Sequence, residues 1–297
     1  MKGLVCLSLA AALLCLFSGC DKGESDIQGQ IQTPEKGSLR IVSLAPSITE
    51  ILFQLDLGGS IVGVTTNCDY PEQARLITKI GSLHPDIETL VRLKPTHIFA
   101  IESMLNESLK QRLEALELKC TVVKINTIEQ ITDSMVTIAA ACGIAEKGVK
   151  LAAELESEID RYKSASKSLM PKKTLVIVQP RPIVAVGENT FISELVRYAG
   201  GSITGVGGLG KYPQLNSESL LAIEPEVIII TDNPYTTEQK EEILEVITRW
   251  ESIPAVKSGD IYFLNSDIIS RPGPRSAKAV ALLARAIHPE FNWDNLE

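Results

Sequence analysis

The stretch Ile87-Glu88-Thr89-Leu90-Val91-Arg92-Leu93-Lys94-Pro95, leading into His97-Ile98-Phe99, occurs twice in altered spelling. Its counterpart is Ser217-Glu218-Ser219-Leu220-Leu221-Ala222-Ile223-Glu224-Pro225, leading into Val227-Ile228-Ile229-Ile230. Each copy is a glutamate near the start of a short helix, a proline stop and a buried strand. Proline stops a helix because it has no N–H to give and its ring clashes with the preceding turn. A short unbroken run of apolar residues after the stop reads as a strand covered on both faces. One phrase used twice predicts two similar lobes.

Outward from the first copy, strands are predicted over 40–44, 61–65, 97–101 and 121–125. The intervening helices run to Leu55, over 87–94, near 106–116 and over 128–141. Ser47 with Glu50 three residues on has the spacing of a capping box, and Asp86 stands at the N-cap of the next helix. Around the second copy, strands are expected over 174–178, 183–186, 227–230 and 260–264. Helices are expected over 191–198, from Ser217, over 238–250 and over 276–287. Strands alternating with helices predict parallel sheets. Residues 145–168 break the rhythm, with Leu151, Leu155, Ile159 and Tyr162 recurring every three to four residues up to Pro171. At 1.5 Å per residue such a helix reaches about 36 Å, long enough to cross from one domain to another. The fold class is therefore α/β: two similar lobes with mostly parallel sheets, joined by one long inter-lobe helix. The expected limits are 39–143 for the first lobe, 144–170 for the linking helix and 171–297 for the second lobe.

Before this body, Met1-Lys2-Gly3 precedes an apolar run to Phe17, then Ser18-Gly19-Cys20. The run is short of the roughly 20 residues a membrane-spanning helix needs. A charged start, an apolar middle and small residues at the end have the layout of a signal peptide. The ending Leu16-Phe17-Ser18-Gly19-Cys20 resembles a bacterial lipobox, with Phe17 where leucine is usual. That resemblance implies a signal peptide over 1–19 and lipid on Cys20. Residues 20–38 are polar and lack an apolar period, which reads as a flexible tether. Asp21 resembles the signal that keeps lipoproteins on the inner membrane in some Gram-negative bacteria. The expected location is extracytoplasmic, on the cell membrane, at the periplasmic face of the inner membrane if the cell is Gram-negative.

The net charge of −8 argues against nucleic acid as a partner. Beyond Cys20 only Cys68, Cys120 and Cys142 remain. An odd count cannot pair fully; one bridge has three possible pairings, and small buried thiols are the favoured reading.

The run Arg40-Ile41-Val42-Ser43-Leu44-Ala45-Pro46-Ser47-Ile48-Thr49-Glu50 resembles the opening of periplasmic receptors for metal chelates. So do Val62-Gly63-Val64-Thr65 leading to Cys68-Asp69-Tyr70-Pro71, Lys94-Pro95 before a strand, and Ser270-Arg271-Pro272-Gly273-Pro274-Arg275. The resemblance spans about 39–287 and is greatest to the vitamin B12 branch. It implies a binding protein without enzymatic activity or catalytic cofactor, a monomer that feeds an ABC importer. The implied partners are a permease dimer with its ATPase subunits. The implied cargo is cobalamin or another corrinoid, with a ferric siderophore or haem as the alternative.

A site between lobes is lined by segments that follow strand ends. Here these supply Pro46, Ser47, Asn67, Tyr70, Leu83, His84, Tyr212, Asp267 and Arg271. The B12 branch places aromatics where Asn67 and Leu83 stand, and Tyr212 falls where an aromatic is expected. Asp267 and Arg271 match polar residues of the B12 cleft. Arg271 is read as a ligand contact and Arg275 as structural, bonded to backbone carbonyls. His84 is a candidate ligand to a chelated metal; its alternative is a solvated loop histidine. His97 and His288 read as structural. The haem branch has a tyrosine where Ser82 stands. Glu88 and Glu218 occupy equivalent places in the repeat and match the acidic residues that dock the family on its permease. The run 205–210 lacks the GK[ST] of a phosphate loop and reads as a mobile cleft loop. An exported hydrolase on the same scaffold is the competing class, but no Gly-x-Ser-x-Gly elbow is present.

Overall fold

A computed structural model describes residues 39–296, apart from 83, 204, 205, 207, 233 and 234. The expected signal peptide over 1–19 with Phe17, the expected tether over 20–38 with Cys20 and Asp21, and Leu83 lie outside the described residues. So do Gly205 and Gly207 of the glycine-rich run.

The first sheet has the order β2-β1-β3-β4, from β1 (Ile41–Ser43), β2 (Ile61–Val64), β3 (His97–Ile101) and β4 (Cys120–Val123). All three of its ladders are parallel. Its helices are α1 (Pro46–Gln54), α2 (Ile87–Arg92), α3 (Glu107–Ala115) and α4 (Ile128–Ala141). Next comes α5 (Ala145–Ser166). The second sheet runs β6-β5-β8-β9, from β5 (Lys172–Pro180), β6 (Ile183–Ala185), β8 (Val227–Asp232) and β9 (Ile261–Asn265). Only β6 is antiparallel there, and the two-residue β7 (Gly201–Ser202) pairs with β5. Helices α6 (Phe191–Tyr198), α7 (Ser217–Ile223), α8 (Thr237–Thr248), α9 (Pro254–Ser258), α10 (Ser266–Ile269) and α11 (Ser276–Ile287) complete it.

The repeated phrase is repeated in detail. Asp86 caps α2 by accepting from Glu88 N, and Asn216 caps α7 by accepting from Ser219 N. Leu90 and Leu220 are both fully buried. Lys94 and Glu224, each directly before the proline, both have φ of 47°. A left-handed residue closes a helix by turning the chain away from the next helical turn, and the proline then forbids re-entry.

Each sheet is covered on both faces, and alternation along the strands assigns the faces. Val42, Ile98 and Ala100 point to an outer core with α2 and α3. Leu175, Ile177, Ile228 and Ile230 point to another with α7, α8 and α9. Ile41, Phe99, Val176 and Ile229 point the other way, into one central core shared by both sheets. That core runs through α1, α4, α5, α6 and α11 without a break. Helix α5, 22 residues long, spans about 33 Å. It buries Ala152, Leu155, Ile159 and Tyr162 on one stripe. Gly148 lets it lie on α4: a Cβ there would sit 2.5 Å from Ala139 Cβ and 2.8 Å from Met135 O. Tyr162 stacks on Trp293 with ring centroids 5.9 Å apart. Among the described residues no helix is long and apolar enough to cross a membrane.

Cys68, Cys120 and Cys142 are free thiols, Cys68 buried. Burial pushes the Cys120 and Cys142 thiols up to about 11. His288 is buried, with its ring nitrogens 3.0 Å from Gly200 O and 3.1 Å from Glu290 Oε1, a structural role as expected.

The expected capping box at α1 does not form. The N-cap is Ala45, without a side-chain cap, and Ser47 lies inside the helix. Pro46 opens α1, so one of the N–H groups that a cap would satisfy is absent. Glu50 instead reaches across 225 positions to Arg275: Nε donates to Oε2 at 2.8 Å and Nη2 to Oε1 at 2.5 Å. Glu50 is 3 % exposed at its side chain and Arg275 16 %. Burial holds the Glu50 carboxyl above its ordinary range while Arg275 pulls it back.

Removing one partner of a buried pair strands the other charge, at a cost of about 3–5 kcal/mol. Arg275→Met is therefore expected to lower the urea midpoint strongly, and Glu50→Gln with Arg275→Met to recover much of the loss. The unpaired Glu50 of the single variant binds a proton more readily folded than unfolded, so its stability falls as pH rises. Its deficit is expected to be smaller at pH 5 than at pH 8. Equal deficits at both pH values, or a double variant as weak as the single, would contradict the assignment.

Candidate ligand cleft

The first lobe presents its strand ends to the second. After β1 the chain turns at Ser43, whose hydroxyl donates to Ala45 O at 3.0 Å and accepts from Thr49 Oγ1 at 2.8 Å. This places Pro46 and the buried Ser47 at the lobe boundary. After β2 the loop is pinned from inside. The Cys68 thiol lies 3.2 Å from Thr49 Oγ1 and 3.1 Å from Thr65 Oγ1. Lys79 Nζ donates to Cys68 O at 2.7 Å and Ala74 O at 2.9 Å. The pinned loop holds out Asp69 and Tyr70.

The second lobe answers with residues 265–275. Asn265 caps α10 through Ile268 N, and this short helix stands where the sequence reads as a loop. It carries Asp267. Arg271 Nη1 meets Asp69 Oδ1 at 2.6 Å across the lobes, and Nη2 meets Asp267 Oδ1 at 2.8 Å. The Arg271 bond is the largest cause holding the Asp69 carboxyl below its ordinary range. Arg275 lies 4.2 Å over the Tyr70 ring and donates to Asp267 O at 3.1 Å. Its expected bond to a backbone carbonyl is present, but the Glu50 carboxylate is its main partner. A Cβ on Gly273 would sit 3.6 Å from Ser47 Cβ, so this segment seats against the start of α1.

Beside these inter-lobe ion pairs, the clasp of Asp69, Asp267 and Arg271 with Glu50 and Arg275, lies a cavity of about 280 Å³ between the lobes. Ile101 ends β3, and Ser103, Ile125 and Asn126 come from beyond β3 and β4; Asn189, Thr190, Phe191, Ile192, Lys211, Tyr212, Ser270 and Pro272 face them. A second cavity, about 490 Å³, shares Asn126, Asn189 and Thr190 and adds Glu188, Ser193, Glu194, Arg197 and Ser202 among others. Openings at the carboxyl ends of parallel strands are where α/β folds bind ligands. Glu194 reaches from the second lobe to accept from Ile128 N at 3.0 Å, in the first turn of α4. Tyr198 Oη also donates to it at 2.7 Å.

The expected site residues fall into three groups. Ser47, Tyr70, Asp267 and Arg271, with Pro46 beside them, meet at the clasp, and Tyr212, half exposed, lines the adjacent cavity. Asn67 is exposed and donates to Ser82 Oγ at 3.2 Å within its own lobe. His84 is also exposed. Among the described residues no group of three His, Cys, Asp or Glu side chains is set to hold a metal ion. Glu88 and Glu218 are exposed on the second residue of α2 and α7. Sequence reasoning missed Glu50, Asn126 and Asn189. A signal for the last two exists: Asn126-Thr127 and Asn189-Thr190 are the same dipeptide before a helix, with the threonine as N-cap each time. Asn189 has a φ of 59°, a conformation that asparagine tolerates better than most residues.

A protein from Bacillus subtilis (strain 168), described as an uncharacterized ABC transporter substrate-binding lipoprotein, YvrC, is 29% identical over 272 residues, 89% of this chain and 85% of that one. A vitamin B12-binding protein from Vibrio vulnificus (strain YJ016) is 25% identical over 243 residues, 81% of this chain and 87% of that one. Among solved structures, the apo periplasmic heme-binding protein RhuT from Roseiflexus sp. RS-1 superposes with a TM-score of 0.74. It is 24% identical, with 88% of this chain and all of that one covered. The periplasmic binding protein family model matches residues 41–268. By that match and this architecture, the chain belongs to the periplasmic binding protein family.

Proposed function

We propose that the protein is the substrate-binding lipoprotein of an ABC importer, capturing a metal chelate between its lobes and delivering it to the permease. Lipid on Cys20 and a tether over 20–38 hold it at the membrane. The lobes extend over 39–143 and 171–297, with 144–170 between them. The observation that carries this reading is the pair of inter-lobe cavities that adjoin the carboxyl ends of β3 and β4 and are closed by the second lobe, in a chain of this family. Ile101, Ile125, Phe191, Tyr212 and Pro272 give the smaller cavity apolar and aromatic surface, which suits a broad macrocycle. The B12-binding relatives support a corrinoid as the first choice, with a ferric siderophore or haem as the alternative. A lone imidazole needs no protein cluster to reach a metal already chelated, so His84 keeps the role of candidate axial ligand. Pro46, Ser47, Asn67, Tyr70, Leu83, Asp267 and Arg271 frame the site.

The apolar core continuous between the lobes leaves little freedom for a hinge. Binding therefore selects a nearly formed cleft. Glu88 and Glu218 dock the two lobes on the two copies of a dimeric permease, where paired charges set orientation and encounter rate.

Three outcomes are expected. Cyanocobalamin, titrated calorimetrically and by visible spectroscopy, binds one per chain with Kd below about 1 µM, equivalent to about 8 kcal/mol. No binding of cyanocobalamin, haemin or a ferric siderophore would refute the chelate reading. Glu88→Ala with Glu218→Ala abolishes uptake in cells while the purified variant keeps its ligand affinity; normal uptake would remove the docking role. Cys20→Ser moves the protein from the membrane fraction to the soluble extracytoplasmic fraction. A variant that stays with the membrane would show that Cys20 is not the anchor.

A further inference from the structure

The inter-lobe surface contains several cations, yet most already have partners. Arg271 spends Nη1 on Asp69 and Nη2 on Asp267. Arg275 spends Nε and Nη2 on Glu50 and lays its guanidinium plane on Tyr70. Three carboxylates thus face two guanidinium groups at the clasp. In the adjoining cavity Glu188 and Glu194 stand beside the single cation Arg197, which is 3.9 Å from Glu194. Lys211 lines the cleft without an ion pair among the described residues. Taken together, the walls carry no positive excess.

A polyanionic ligand needs that excess. Each carboxylate or catecholate it brings loses its water and must find a cation in return, or the desolvation goes uncompensated. Here such a group meets an Arg271 whose two terminal nitrogens already hold Asp69 and Asp267, so any place it takes on that guanidinium lies next to their negative charge. Like charges brought together in an interface disfavour binding. A chelate with little or no net charge meets neither penalty, and Lys211 remains for a single acidic substituent.

We propose that Asp69 is a selectivity residue, which with Asp267 engages the two terminal nitrogens of Arg271 and offsets its charge, so that the cleft favours chelates of low net charge over polyanionic ones. This rests on the metal-chelate reading above and narrows it. Asp69 owes the role to its place: the buried Cys68 thiol and the Lys79 bonds fix its loop, and the opposite lobe supplies the arginine.

The experiment titrates the purified protein and its Asp69→Asn variant with three probes: cyanocobalamin, which has no net charge; haemin, with two propionates; and a ferric tricatecholate, which carries three negative charges. The wild type is expected to bind cyanocobalamin at least about tenfold more tightly than either anion. Asp69→Asn releases one face of Arg271, and the haemin-to-cyanocobalamin affinity ratio is expected to rise about tenfold. If Asp69→Asn does not fold, Asp267→Asn frees the other Arg271 nitrogen and carries the same test. A wild type that prefers either anion overturns the selectivity and leaves the chelate reading standing. An unchanged ratio in the folded variant does the same. A wild type that binds none of the three removes the reading, and this inference with it.

Discussion

The lobes are held by a buried ion pair between residues far apart in the chain. Glu50, in the first helix, accepts two hydrogen bonds from Arg275, at the entrance to the last long helix. Such a pair contributes little net stability, because both charges lose their water. Its consequence is geometric. A bidentate guanidinium–carboxylate contact has one good arrangement, so α1 and α11 are fixed in register. Tyr70, Asp69, Arg271 and Asp267 then follow around it. The candidate site is therefore assembled by the same contact that positions the lobes.

A continuous apolar core reinforces that constraint. Two domains with separate cores can rotate about a linker, whereas these sheets share one core through α4, α5, α6 and α11. Close packing makes such an interior resist small deformations. Opposite the clasp, Glu194 ties α6 to the start of α4, so the cavities lie between polar ties on either side. Rigidity of this kind suits the proposed role, in which one outline serves both ligand and permease.

Much of this architecture was legible in the sequence because it is local or periodic. The doubled helix–proline–strand phrase announced two lobes, and its details match down to the left-handed residue before each proline. The heptad-like stripe of α5 announced the linking helix. What was illegible is long-range. Glu50 has the spacing of a cap, and nothing within ten residues hints at Arg275. The α10 residues are too few to show a period, so Asp267 read as part of a loop. The bond from Asn67 to Ser82 in its own lobe is set by loop geometry rather than by residue type, so no local pattern announces it. The repeated Asn-Thr before α4 and α6 was visible and passed over, since capping alone accounts for the threonine and leaves the asparagine without a stated task.

On the proposed reading, the cargo sits in the cavities between the two lobes. The most direct test is crystallographic. Crystals grown with cyanocobalamin, measured at the cobalt absorption edge, should give one anomalous peak per chain between the Asn126 wall and the Tyr212 wall, with the Glu50–Arg275 pair intact. A cobalt peak on the outer surface of either lobe, or lobes parted at that pair, would contradict the account.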